Sequence, residues 1–437
     1  MKLVKSLLLG SAAGIAAVAG AQAADLPSRK AAPVEYVRVC SAFGAGFFYI
    51  PGTDTCLRIG GRVRAEYTFG ERWNAGQDSY GTRARGRIYV DARNQTAYGT
   101  LRTFVRYDVT TSTGSYGYGG TNAGANRFSG LNGTTSASSV NLDRAFIQFG
   151  PITAGKAQSF YDFYANDFGF SVLRTSDRSP NLLAYTATFG GGFSATISLE
   201  DPKTTGRRPS SFAAYQGTTY PDVVASLRVE QGWGAAQLSG AIGDRGAYSS
   251  PFAGGNGAKK DEMGWAIQAG VKINLPMLAA GDALFLQAGY ADGALEYLGW
   301  DGGIAGYGRL AAYTVNNFGP TGFGTVKSNT GYNLVAALRH YWTPAIRSDF
   351  LASYSALQTT DGLNLAGVPV SVDPKELILG ANLVWSPVSG LDIGVEVLYS
   401  RTEYGVRVPD AKAFAVNGRT IKSDDAWTGR LRIQRDF

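Results

Sequence analysis

The sequence predicts an all-β fold, a transmembrane antiparallel β-barrel of about sixteen strands with one long inward-folded loop after the fifth strand. Three observations predict it. First, the 437 residues include 58 Gly, 24 Tyr and 22 Phe, a composition that disfavours helices and favours strands and turns. A soluble β protein of this length is expected to divide into domains, yet no linker is evident, and the mean hydropathy is close to zero. A barrel that alternates lipid-facing and water-facing residues accounts for both facts. Second, the turns alternate in length. Gly150-Pro151, Gly190–Gly192, Gly232-Trp233 and Val388–Gly390 are tight, whereas Glu71–Gly81, Thr111–Ser139, Phe160–Pro180, Asp201–Pro221, Asp244–Asp261, Asp292–Thr330, Gln358–Pro374 and Gly405–Asp424 are long. Third, arginines recur at every second position of the first strands.

Taken in order, the chain opens with Lys2 and Lys5, an apolar run from Leu7 to Ala19, and Ala21-Gln22-Ala23. That is the pattern of a secretory signal peptide, residues 1–23, with a mature barrel over 24–437. Its removal takes the formal charge from +7 to +5 by loss of the two lysines. The remaining basic bias is mild and spread at strand spacing. Together with secretion, this argues against a nucleic-acid partner. Asp25–Pro33 reads as a flexible lead. Cys40 and Cys56, the two cysteines, read as a disulfide in an oxidising compartment, with free buried thiols as the other reading. No cofactor or metal site is expected, since the chain has a single His.

The stretch VEYVRVCSAFGAGFFYIPGTDTCLRIGG, Val34 to Gly61, resembles the amino-terminal segment of the alphaproteobacterial (Rhizobiales-type) trimeric outer-membrane porins. The signal peptide, the aromatic loop at Phe160 and the terminal Phe437 agree with it. The resemblance implies an outer-membrane location in contact with lipid. It also implies a homotrimer, with a long loop such as Thr111–Ser139 latching onto a neighbour, and a constricting loop inside the barrel. The final aromatic is similar to the signal that hands such proteins to their insertion machinery.

Independently of that resemblance, period-two alternation places strands at Leu57–Phe69, Thr82–Asn94, Ala97–Thr110, Val140–Phe149, Ile152–Ser159, Asn181–Phe189, Phe193–Glu200 and Asp222–Gln231. Eight more follow at Gly234–Gly243, Glu262–Leu275, Leu284–Ala291, Gly331–Trp342, Ala345–Leu357, Lys375–Ser386, Leu391–Tyr404 and Asp425–Phe437. In the last, Trp427, Leu431, Ile433 and Phe437 share one face and Arg430, Arg432 and Gln434 the other, with Arg435 out of pattern. Asp424-Asp425 reads as a solvated charge run in a loop.

Phe160–Pro180 carries six aromatics within eleven residues, together with Asp162, Asp167 and Asp177 and then Arg174 and Arg178. Water does not tolerate so much apolar area on an extended loop. The segment therefore packs on a wall, either inside the barrel with its charges towards a wet space or on an outer protein surface. On the first strand Arg58, Arg62, Arg64 and Glu66 oppose Ile59, Val63 and Tyr67. On the next two, Arg83, Arg85, Arg87, Arg102 and Arg106 oppose Ile88, Val90, Leu101, Val105 and Tyr107. A row of guanidiniums cannot sit in a dry core without partners, so the polar face is expected to line water. The candidate pore constriction is Asp162 and Asp167 from the loop against Arg62, Arg64, Arg85, Arg87, Arg102 and Arg106 from the wall.

These features point to a passive channel for small hydrophilic solutes and ions. A substrate-selective channel is the first alternative and would need a ladder of aromatics or a dedicated binding site, neither of which is evident in the sequence. A structural or adhesive barrel is the second, and step conductance separates it from a channel. An outer-membrane enzyme is disfavoured, because His340 is the sole imidazole and lies at a strand end without a triad partner in the sequence pattern.

Overall fold

A computed structural model describes residues 38–70, 78–114, 137–204, 219–245, 247–248, 259–260, 263–300, 318–321, 325–359, 363–365, 368–409 and 419–437. The expected signal peptide, the lead before residue 38 and most of the proposed latch Thr111–Ser139 lie outside them. The chain divides into two units, Met1–Cys56 and Leu57–Phe437.

In the first unit a disulfide joins Cys40 to Cys56, with Cα atoms 5.9 Å apart. It closes a small apolar cluster in which Phe47 is buried with Phe43 and Tyr49 packed against it. Cys40 N–H donates to the Phe47 carbonyl at 2.9 Å, so the loop is tied by backbone as well as by sulfur. Closing a loop of this length contributes about 3 kcal/mol in the chain-entropy account.

The second unit is a closed antiparallel barrel. Its strands, numbered in chain order, are β1 Cys56–Gly70, β2 Tyr80–Thr96, β3 Gly99–Gly114, β4 Ala137–Phe149, β5 Ile152–Lys156, β6 Asn181–Gly190, β7 Phe193–Glu200 and β8 Asp222–Gln231. There follow β9 Gly234–Asp244, β10 Met263–Asn274, β11 Ala283–Asp292, β12 Thr330–Thr343, β13 Ile346–Gln358, β14 Lys375–Val388, β15 Leu391–Pro409 and β16 Thr420–Asp436. Each strand pairs with the next, and β16 returns to β1 in the register Arg62↔Asp436 through Gly70↔Thr428. The ring therefore has no open edge, which is the condition for strands to sit in hydrocarbon. Among the described residues no helix is long and apolar enough to cross a membrane.

Burial inverts the pattern of a soluble protein. Many of the sequestered side chains along the strands are polar, among them Ser198, Gln237, Gln268, Asn333, Ser355 and Glu396, while Leu183, Leu227, Ile267, Leu334, Leu383 and Val397 are exposed. Only a solvent that is apolar outside and polar inside makes that arrangement favourable. Exposed aromatics form two bands. Tyr98, Phe189, Trp342, Trp385 and Phe437 lie near the tight turns, and Tyr220, Trp265, Tyr290, Tyr332 and Trp427 near the long loops. Amphipathic rings of this kind favour the two membrane–water interfaces. Arg435, out of pattern on the outer face, donates to the Ser389 carbonyl at the β14–β15 turn, where its charge meets the interface.

Several strand boundaries differ from the sequence reading, and those of β5, β15 and β16 change how residues are read. β5 ends at Lys156 and not Ser159, because Ala157 and Ser159 N–H bond Pro180 and Arg178 carbonyls at 3.1 and 2.9 Å and form the root of the loop. β15 and β16 run past the expected ends, so Asp424 and Asp425 are strand residues opposite Thr402 and Arg401, not loop residues. Pairing outside the apolar band costs no lipid exposure, so periodicity of apolar residues could not mark it.

Leu383→Arg places a guanidinium on the outer face midway along β14. Folding into phospholipid vesicles is expected to lose roughly 2–4 kcal/mol by urea titration. An unchanged stability would remove β14 from the lipid face.

Candidate functional site

The segment 157–180 follows β5 and runs along the inner wall. Its backbone polar groups are irregular and so need partners other than a ladder. The barrel supplies them strand by strand. Ser159 Oγ and Phe160 N–H donate to Glu200 of β7 at 2.6 and 3.1 Å. Gln237 of β9 donates to the carbonyls of Phe160 and Asp162 at 3.2 Å each, and Gln268 of β10 to that of Tyr161 at 3.1 Å. Tyr164 N–H donates to Gln287 of β11 at 2.9 Å. Further along, Gly169 N–H donates to Asp349 of β13 at 3.1 Å and Phe170 N–H to Glu396 of β15 at 2.5 Å. The Phe170 carbonyl accepts from both Arg430 and Arg432 of β16, at 2.5 and 3.0 Å.

The aromatics of the segment are the apolar filling of this side. Phe163, Tyr164 and Phe168 surround Phe285 of β11 with ring centroids 5.7, 5.1 and 5.1 Å away. Phe163 occupies the space above Gly270, where an added Cβ would lie 2.3 Å from its ring. Tyr161 packs edge-on against Tyr297 at 4.6 Å.

The opposite side is open and charged. A cavity of about 870 Å³ is lined by twelve arginines and seven aspartates. Arg62, Arg64, Arg85, Arg87 and Arg106 are among them, as are Asp162 and Asp167. Arg102 is not a lining residue. It pairs with Asp91 at 2.9 Å and lies over the rings of Phe104 and Phe146, near the β2–β3 and β4–β5 turns. Parity alone assigns Arg102 the right face but not the right height. Arg83, Arg144, Arg228, Arg339, Arg347, Arg430 and Arg432 also line the space. The polar parity of β2, β4 and β16 carried the signal for Arg83, Arg144, Arg430 and Arg432, whereas Arg228, Arg339 and Arg347 stand on strands where no row of arginines marks the inner face.

The wall arginines are held fanned. Arg87 grips Asp108 with two hydrogen bonds of 2.6 and 2.8 Å, and Arg106 pairs with Asp143. Arg85 bonds Thr110 at 2.9 Å, Arg62 bonds Asp436 at 2.5 Å, and Arg64 bonds the neutral Gln434 at 2.7 Å. Glu66, fully buried, is shared by Arg83 and Arg432 at 2.6 and 2.8 Å, with Arg430 at 3.6 Å. Across the space, Asp162 accepts from Arg178 N–H at 2.8 Å and from the Gln158 amide, while Asp177 accepts from Asn166 at 3.3 Å. Gln158 also accepts from Arg144, which joins wall to loop. Asp167 is exposed to the cavity. The enclosing protein and then Asp177 nevertheless push its carboxyl up from the usual range.

The arrangement offers a charged, open space. Among the described residues no group of three His, Cys, Asp or Glu is placed to hold a metal. His340 Nδ1 lies 2.6 Å from Asp282 at the far end of β12 from the loops and outside the cavity lining.

The profile of the porin subfamily matches residues 25–430. Porin Omp2b of Brucella canis is 29% identical over 451 residues, covering 99% of both chains, and Porin Omp2b of Brucella neotomae is 30% identical over the same span. Among solved structures, the outer membrane channel DcaP of Acinetobacter baumannii aligns with a TM-score of 0.60 at 15% identity, over 89% of this chain and 99% of that one. A loop L8 deletion mutant of OmpT of Vibrio cholerae aligns with a TM-score of 0.50 at 10% identity, over 88% and 100%. At such identities the structural likeness concerns the barrel fold.

Glu66→Gln removes the carboxylate that several guanidiniums share. Breaking a buried ion pair from one side costs about 3–5 kcal/mol, so the variant is expected to unfold at markedly lower urea than wild type. Equal midpoints would mean that water already screens the cluster.

Proposed function

The chain belongs to the porin family and is an outer-membrane channel protein rather than an enzyme, and from this premise we propose that the cavity between the arginine wall and the segment 157–180 is the narrow part of its pore. Small hydrophilic solutes and ions cross it by passive diffusion. The observation that supports this most is the lining itself: arginines of β1, β2 and β3 on one side and Asp162, Asp167 and Asp177 on the other. At several ångströms in a water-like medium each such charge contributes on the order of 1 kcal/mol. That is enough to orient a dipolar solute and too little to hold it, which is what conduction needs. We further propose a homotrimer, on the resemblance to trimeric porins.

Excess arginine over aspartate in the lining biases the current towards anions. The bias is weak because most of the lining aspartates are paired with arginines and the space is wet. Purified protein in planar bilayers is expected to give discrete conductance steps. The reversal potential in a salt gradient is expected to correspond to an anion preference below about tenfold, equivalent to roughly 1.4 kcal/mol. Absence of steps would leave a structural or adhesive barrel, and saturating flux of one solute a substrate-selective channel. Asp167→Asn, a change at an exposed side chain, is expected to move the reversal potential further towards anions. A null shift would take Asp167 out of the ion path.

A further inference from the structure

A second segment lies on the same side of the barrel interior as 157–180. Residues 293–300, after β11, form a short 3-10 turn, Leu295–Leu298, whose four side chains are all buried. Several hydrogen bonds tie the segment to the barrel, among them one from Asn333 of β12 to the Leu298 carbonyl at 3.4 Å. Tyr297 donates to Asp222 at 2.8 Å, and Asp222 also accepts two hydrogen bonds of 2.8 Å from the buried Arg245. Trp300 donates through its indole N–H to Ser355 of β13 at 2.7 Å.

Between these ties the segment meets the return limb of 157–180. Arg174 is sandwiched there. It donates to Glu376 of β14 at 2.6 and 3.1 Å and to the Gly299 carbonyl at 3.0 Å, and its guanidinium lies 4.1 Å from the centre of the Trp300 ring. Asn333 of β12 donates to the Arg174 carbonyl at 2.7 Å. The contact is close in the backbone as well. Gly299 has φ +84°, and a Cβ there would stand 2.7 Å from the backbone N and O of Thr175. Arg174 and Glu376 are not needed to build the ring of strands. Both are nearly inaccessible, and a buried ion pair of this kind is costly unless it specifies a geometry.

We propose that the segment 293–300 is a clamp on the inward loop, with Arg174, Glu376 and Trp300 as positioning residues, so that two inward segments and not one set the size limit of the pore. The clamp presses the return limb towards β14 and thereby fixes how far the loop's other limb, with Asp162 and Asp167, projects into the cavity. Loss of the clamp lets the loop fluctuate, and the opening both widens on average and varies in time. The inference rests on the channel reading. That reading fails separately, if wild type gives no conductance steps.

The test compares wild type with Arg174→Met/Glu376→Leu, which removes both charges together and leaves no unpaired buried ion, and with Gly299→Ala, which separates the backbones without touching a charge. Each is purified, checked for the shift in gel mobility between folded and boiled barrel, and read by single-channel recording and by liposome swelling with sugars of increasing size. Both variants are expected to keep the folded mobility and to show larger, noisier steps and faster entry of the larger sugars. Arg174→Lys with Glu376 kept is expected to recover part of the wild-type noise level, which a merely structural pair would not require. Wild-type step size, noise and sugar cut-off in a folded double variant would overturn the proposal. Should the double variant not fold, the same wild-type readings in Gly299→Ala would overturn it.

Discussion

Everything in this structure depends on backbone hydrogen bonding in a place where water cannot help. A lipid-facing strand edge is not tolerated, because each unpaired N–H or C=O in hydrocarbon costs several kcal/mol. Pairing of β16 with β1, from Arg62↔Asp436 to Gly70↔Thr428, closes the ring and removes the last such edge. Closure in turn imposes period-two alternation on every strand, and alternation forces every second residue into the enclosed space. The arginine rows of β1, β2 and β3 are acceptable only because that space is wet on their side.

The interior is correspondingly unequal. Against β9 to β11 it is filled by aromatic rings and hydrogen-bonded backbone, whereas β12 and β13 also send Arg339, Arg347 and Asp349 to the cavity. Against β1 to β5 and β16 it is charged and hydrated. The inner-face residues match these roles. Amides such as Gln237, Gln268 and Gln287 meet the irregular backbone of 157–180, where a neutral group able to donate or accept is needed. Most of the wall guanidiniums are steadied instead by a carboxylate, hydroxyl or amide, as Arg87 is by Asp108, Arg85 by Thr110 and Arg64 by Gln434, while Arg430 and Arg432 also meet the segment's backbone. Steadying matters for a channel, since a mobile charge would average its field away and a firmly neutralised one would have none to offer.

The Glu66 cluster shows the limit of this economy. One carboxylate serves guanidiniums from β2 and β16, and two of those also hold the Phe170 carbonyl. A single side chain on the first strand thus couples barrel closure to the position of the inward segment. The first and last strands meet there, so the loop is seated at the place where the ring is completed.

The residues in order already determined a great deal. Alternation of apolar and polar positions identified about sixteen strands and the faces of the first three and the last, because side-chain period is a local property of an extended chain. Connection lengths separated the turn end from the loop end, and paired cysteines in a secreted chain pointed to the 40–56 bridge. Local pattern could not say how far along the bore each inward residue lies. Arg58, Arg62 and Arg102 have the same parity logic, yet only tertiary stagger between strands sets Arg102 beside Asp91 near the turns and Arg62 in the cavity. Nor could it say that 293–300 joins 157–180 through Arg174 and Trp300, since those partners are more than a hundred residues apart and meet only when the ring has closed. Parity is written in neighbouring residues, whereas height and cross-lumen contact are written in the shear of the whole barrel.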